Sequence, residues 1–145
     1  MTASQTPPPA LAEIRDDFLA LPEPERLQLL AEFARELPPV PTVYDAHPDM
    51  FERVSECQSP VYVLVDVDPE GTVAVYATAP PEAPTTRGFA SILCQGVTGL
   101  SVEAVLAIPD DFPQSIGLSR AVSPLRLAGM SGMLRRVKRR VRERR

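Results

Sequence analysis

Apolar residues at three- and four-residue spacing begin early in the chain. Leu11, Ile14, Phe18 and Leu21 predict an amphipathic helix from Pro9 or Ala10 to Leu21. Pro22 and Pro24 interrupt it and favour the first turn of a second helix over about Glu23 to Glu36, whose stripe is Leu27, Leu30, Phe33, Ala34 and Leu37. Together they read as a helical hairpin. Pro38-Pro39-Val40-Pro41 cannot continue a helix, because proline lacks the donor and pushes the residue before it towards extended geometry. Thr42 to Met50 reads as an irregular connection. From Phe51 the pattern turns extended: a short strand to about Ser55, a strand from Val61 to Val67, and a third from Thr72 to Thr78 after the turn signal Asp68-Pro69-Glu70-Gly71.

Beyond the proline-rich loop Ala79 to Pro84, Thr85 or Thr86 is expected to cap a helix through about Val97 that buries Phe89, Ile92 and Leu93. Ser101 opens a short helix to Ala107, and Pro109 begins a turn that ends near Gly117. Ser123 as cap and Pro124 as first residue start a long helix, with Leu127, Met130, Leu134, Val137 and Val141 on its inner face. No period of 20 to 50 residues repeats, so a solenoid is excluded. Helices, then strands, then helices predict an α+β fold with the helices packed on one side of a small three-stranded antiparallel sheet.

Composition changes this picture little. The 145 residues, 44% apolar and 23% charged, suit one soluble domain. Residues 1–9 are polar and proline-rich and are expected to be disordered, leaving a single domain over 10–145. No apolar run approaches the roughly 18 residues that span a bilayer, and the first residues lack the basic and apolar regions of a secretion signal. A cytoplasmic protein with no membrane partner is expected. Charge is uneven: Met1 to Met133 holds 7 basic and 18 acidic residues, net −11, whereas Leu134 to Arg145 holds 8 basic and 1 acidic, net +7. The helix dipole favours cations at a C-terminus, and the run has no aromatic residue for base stacking. The basic stretch at 134–145 therefore reads as a solvated helix end or a contact for an acidic partner surface before it reads as a nucleic-acid site.

Few residues can carry chemistry. Two cysteines, Cys57 and Cys94, and one histidine, His47, are too few and too scattered for a structural zinc site or a resident iron–sulfur cluster, so no metal is expected. There is no phosphate-cradling glycine loop and no credible hydrolytic triad. The one lysine, Lys138, lies in the basic run, so the chain is not expected to bind pyridoxal phosphate. Cys94 falls on an apolar helix face and reads as core, and His47 as surface. Cys57 stands between the polar turn Val54-Ser55-Glu56 and a strand, where a thiol can reach a partner without facing water all round. It is either the reactive atom or a buried structural cysteine.

The Cys57-Gln58-Ser59 core, the strand after it and the later segment Val122-Ser123-Pro124-Leu125-Arg126-Leu127-Ala128-Gly129-Met130 are specific in combination. Over Leu11 to Val141 the chain resembles the SufE family of cysteine desulfuration proteins. The resemblance implies a SufE/IscU-like fold and a sulfur acceptor without a cofactor of its own. On that model, Cys57 takes sulfane sulfur as a persulfide from a SufS-type cysteine desulfurase, which uses pyridoxal phosphate. The acceptor stimulates desulfurase turnover and passes the sulfur to a SufBCD-type scaffold for iron–sulfur cluster assembly. It is a transfer accessory, not an independent desulfurase. Gln58 and Ser59 would brace the loop or the persulfide. Arg126 matches the arginine of the family's Ser-Pro-x-Arg helix start, and Glu82 falls near the family's usual aspartate. The expected partner of Arg126 is Glu82, another carboxylate or the desulfurase. Glu56 stands where the family usually has glycine, and its β-carbon and charge are expected to restrict the loop and oppose thiolate formation. A different class of reading makes the chain a non-catalytic adaptor that binds a desulfurase or a nucleic acid through its basic tail, with Cys57 structural.

Overall fold

The computed structural model describes residues 7–144. Its helical hairpin consists of α1 (Pro9–Ala20) and α2 (Glu23–Arg35), each entered through prolines at the first turn, where a missing N–H costs no bond. The first six residues of the expected disordered run lie outside the described residues. Pro7 is buried and Pro9 opens α1, so the ordered chain starts before position 10. The connection from Thr42 to Met50, read as irregular, forms two short 3-10 turns over Thr42–Ala46 and Pro48–Met50, broken at His47, which is exposed.

Three strands follow: β1 (Phe51–Arg53), β2 (Tyr62–Val67) and β3 (Val73–Thr78), antiparallel in the order β1-β2-β3. The first strand ends two residues before Ser55, because the chain turns at Ser55 and Glu56 into the cysteine loop. In register, Val63 faces Ala77 and Val65 faces Val75, so these residues and Val73 share one apolar face that packs into the main core with Phe89, Leu93, Met130 and Met133. Leu64, opposite Tyr76, points to the other face and is still fully buried. The Thr42–Met50 segment covers it: the Tyr44 ring lies 5.7 Å from that of Tyr76, and the Tyr44 hydroxyl donates to Asp66 at 2.7 Å. Burial and that carboxylate push Tyr44 up to about 12.

Helix α3 (Pro84–Val97) is the central helix, buried along most of its length and packed on α1, α2 and β3. It starts at Pro84 with Ala83 before it, and neither threonine caps it as expected; no side chain caps this end. Short helices α4 (Val102–Leu106) and α5 (Phe112–Ser115) lead to α6 (Pro124–Arg144). Ser101 and Ser123 do cap: they accept hydrogen bonds from Ala104 N–H at 3.1 Å and Arg126 N–H at 3.2 Å. The predicted inner face of α6 is in place, with Met130, Leu134, Val137 and Val141 buried and Leu127 packed at the edge.

A second stripe on α6 was not evident from hydrophobic spacing. Gly129, Gly132, Arg136, Arg139 and Arg140 recur at three and four residues and face β1 and the loop after it. Glu52 of β1, opposite Val63 and so on the helix side of the sheet, is paired with Arg136 at 3.4 Å, with Arg140 at 3.6 Å and with Arg139. Arg140 also donates to the Met50 carbonyl at 2.9 Å. Lys138 is buried and bonded to the Ile108 carbonyl at 2.7 Å and to Asp110 at 2.8 Å. The basic stretch is therefore a solvated helix end only in part: Arg135, Arg142 and Arg144 are exposed, whereas Arg136, Lys138 and Arg140 are bonded inward. Its inner arginines neutralise an inward-facing carboxylate on an edge strand, which a sequence shows only as charge.

Candidate functional site

The cysteine loop spans the residues between β1 and β2 and is closed at its base by a bond from Val54 N–H to the Val61 carbonyl at 2.9 Å, both residues being fully buried. Within it Cys57 N–H donates to the Val54 carbonyl at 3.1 Å. The turn brings Cys57 down onto α6, where its residue is only 8% exposed. The contact requires glycine: a β-carbon at position 129 would lie 2.9 Å from Cys57 Sγ, and one at position 132 would lie 2.6 Å from Glu56 Cδ. Two glycines three apart thus form a flat seat for two successive loop residues.

Arg136 fastens the loop to that seat. Its Nη2 donates to Ser55 Oγ at 2.6 Å and to Glu56 Oε1 at 2.7 Å, and Arg135 reaches Glu56 Oε2 at 3.3 Å. Arg136 Nε is buried with no acceptor among the described residues. Burial works to raise the Glu56 carboxyl, but its own backbone hydrogen bond and the charges of Arg136 and Arg135 outweigh that and hold it below the ordinary 4.5. Burial also raises the Cys57 thiol above its ordinary 9.0, and the Glu56 charge adds to this against the opposing pull of Arg136 and Arg53. The resting thiol is protonated at neutral pH.

All five residues singled out from the sequence meet at one cavity of about 290 Å³. Cys57, Gln58 and Ser59 enter from the loop, Glu82 from the segment before α3, and Arg126 from the first turn of α6. Thr85 and Thr86, at the uncapped start of α3, and Ser123 complete a polar wall. The expected pairing of Arg126 with Glu82 is not formed, and Arg126 makes no ion pair among the described residues. Two helix N-termini and the Arg126 guanidinium thus line the same cavity as Cys57, an arrangement that favours an anion bound there. Gly129, Gly132, Arg135 and Arg136 belong to the site as well. No spacing rule links them to a cysteine more than 70 positions earlier.

Cys94 is different. It is 3% exposed within α3, and burial pushes its thiol up to about 12. Among the described residues, no group of three or more His, Cys, Asp or Glu side chains is placed to hold a metal ion, and no helix is long and apolar enough to cross a membrane.

Residues 12–141 match the family model described as SufE, an Fe-S metabolism associated domain. The chain belongs to the SufE family. Its general role is therefore in iron–sulfur metabolism. An uncharacterized SufE-like protein of Mycobacterium tuberculosis H37Rv is 47% identical over 143 residues, with 99% of each chain covered. The SufE-like protein 1 of Arabidopsis thaliana, named chloroplastic/mitochondrial, is 30% identical over 129 residues, which make up 88% of this chain and 33% of that one. The solution structure of a hypothetical protein from Thermus thermophilus superposes with a TM-score of 0.82 at 40% identity, covering 95% of this chain and 97% of the other. The expected α+β SufE fold is thus the fold observed.

Proposed function

We propose that the chain is a sulfur acceptor and carrier that works with a cysteine desulfurase. In the exchange, the Cys57 thiolate attacks the terminal sulfur of the donor's persulfide. The donor's S–S bond breaks and its cysteine leaves as thiolate while Cys57–S–S⁻ forms, with no net oxidation or reduction. A SufS-type enzyme, whose pyridoxal phosphate releases sulfur from L-cysteine, is the donor. A SufBCD-type scaffold is the recipient, and clearing the donor's sulfur stimulates its turnover. The chain carries the sulfur on Cys57 without a cofactor of its own, in the cytoplasm, where free thiols persist.

The observation that carries this reading is the contrast between the two cysteines within one SufE domain. Cys57 lies at a polar cavity with room beside its sulfur, and Cys94 is enclosed in the core. A persulfide is more acidic than a thiol, so Arg136 and Arg53, whose charges do not outweigh the burial and the Glu56 carboxylate that keep the resting thiol protonated, favour the loaded anion. Gln58 and Ser59 stand beside it as donors, and Arg126 offers its free guanidinium to the anion or to a carboxylate of the donor. The test is the rate of alanine release by a SufS-type desulfurase. Added chain should raise it, and Cys57→Ser should not; equal stimulation by both would refute the acceptor role.

A further inference from the structure

The Cys57 cavity holds two opposite charges that the fold leaves unused. Arg126 is the only cation in its lining, and Glu56 and Glu82 are its carboxylates. Glu56 is bound to Arg135 and Arg136. Arg126 and Glu82 are exposed, and neither forms an ion pair among the described residues, with the other or with any third side chain. An arginine at a helix start opposes the dipole, so neither its position nor a partner within the described chain accounts for it.

The space that these two charges share is small and polar. At about 290 Å³ it lies just under the usual range of ligand pockets, roughly 300–1,000 Å³, which suits a small metabolite. Thr85 and Thr86 line it at the start of α3, where no side chain caps the helix and their N–H groups have no intrahelical acceptor. A carboxylate bound by Arg126 finds these further donors in the same lining. A simple anion, however, meets the Glu82 charge, and a simple amine meets that of Arg126. A zwitterion satisfies both.

We infer that the cavity binds a free amino-acid thiol, L-cysteine, by its two charged ends, and that the loaded chain passes its sulfur to it. The inference rests on the acceptor reading above and adds a small-molecule recipient. Arg126 takes the α-carboxylate and Glu82 the α-ammonium, while the ligand's sulfur faces Cys57 on the remaining side of the cavity. The ligand is present wherever the donor works, because the donor consumes it. In the exchange, the thiolate of bound cysteine attacks the outer sulfur of Cys57–S–SH. The S–S bond breaks, Cys57 leaves as thiolate, and free cysteine persulfide forms with the proton still on its outer sulfur. Cys57 then takes up the proton that the incoming thiol lost, and nothing is oxidised or reduced overall.

The test uses the full chain carrying sulfur on Cys57, loaded either by a SufS-type desulfurase or by inorganic polysulfide and then freed of both. Mass spectrometry follows loss of the added sulfur, with each thiol's rate normalised to its own attack on a small-molecule disulfide. L-Cysteine should remove the sulfur at a saturating rate. It should be about tenfold faster than cysteamine, which lacks the carboxylate, and 3-mercaptopropionate, which lacks the ammonium; that is the size of one charge-assisted hydrogen bond. Arg126→Gln should erase the advantage over cysteamine, and Glu82→Gln the advantage over 3-mercaptopropionate. Equal normalised rates for the three thiols on the folded wild-type chain would overturn the proposal. Loading by polysulfide but never by the desulfurase would refute the acceptor reading, while the same three rates still decide the site. If neither reagent loads the chain, L-serine decides it: this oxygen analogue should slow alkylation of Cys57 in the wild type and not in Arg126→Gln, and no protection would overturn the site.

Discussion

Arg136 reaches back 80 positions to place its guanidinium 2.7 Å from the Glu56 carboxylate, so the charge next to the acceptor thiol is tied to the last helix. The pair has opposite effects on Cys57, Glu56 raising the thiol and Arg136 lowering it. Glu56→Gln leaves the arginine in place and removes the opposing charge. The Cys57 titration midpoint should fall, and alkylation at neutral pH should be faster as the thiolate fraction rises. The rate well above the midpoint, where all of the thiol is ionised, should change less. An unmoved midpoint in a folded variant would show that Glu56 does not control this thiol.

Gly129→Ala tests the seat. Alanine gains about 1 kcal/mol of helix propensity over glycine, but overpacking against Cys57 costs about 1–3 kcal/mol. A net loss of about 1 kcal/mol is expected, lowering Tm by about 3–5 °C for a domain of this size. The thiol, pushed out into the cavity, should alkylate faster. A stabilised variant with unchanged reactivity would mean that the loop does not rest on α6 in solution.

Ending the chain after Lys138 removes the buried Val141 and two of the three arginines on Glu52. Losing the valine alone should cost about 1.5–3 kcal/mol, and Glu52 would be left facing the helix with only Arg136. Urea titration should show the midpoint falling with little change in slope. An unaltered midpoint would return the tail to the role of a solvated helix end.

The expectation of a solvated tail shows where sequence reading runs out. Hydrophobic spacing locates α6 and its core face because burial is written in residue type. The stripe Gly129, Gly132, Arg136, Arg139, Arg140 has the same period, but glycine and arginine carry no label for what they meet, and their partners Glu52 and Glu56 lie some 80 residues away. Thr85 and Thr86 show a related limit: good capping residues by type, they line the cavity, because Pro84 already supplies the helical φ of the first turn. The five candidate site residues were legible from motif resemblance, and their convergence on one cavity was not, since it depends on α6 crossing back over β1 and β2.

Cys94 predicts an alkaline limit. Its thiol is raised in the folded chain from 9.0 to about 12, so its contribution to stability is complete below 9 and is lost as pH climbs towards 12, where the unfolded chain has released a proton that the folded chain retains. Tyr44, raised from 10.0 to about 12, acts over the upper part of the same window. Thermal melts from pH 8 to 11 should show Tm falling, less steeply in Cys94→Ala and least in Cys94→Ala/Tyr44→Phe. Identical slopes in all three would place the loss elsewhere.

The most direct test is the mass of the chain, and of its cysteine peptides, after incubation with a SufS-type desulfurase and L-cysteine. Each added sulfur contributes about 32 Da. The account predicts this addition on the peptide containing Cys57, its retention in Cys94→Ser and its absence in Cys57→Ser. Sulfur found on Cys94, or none on a folded wild-type chain beside an active desulfurase, would contradict it.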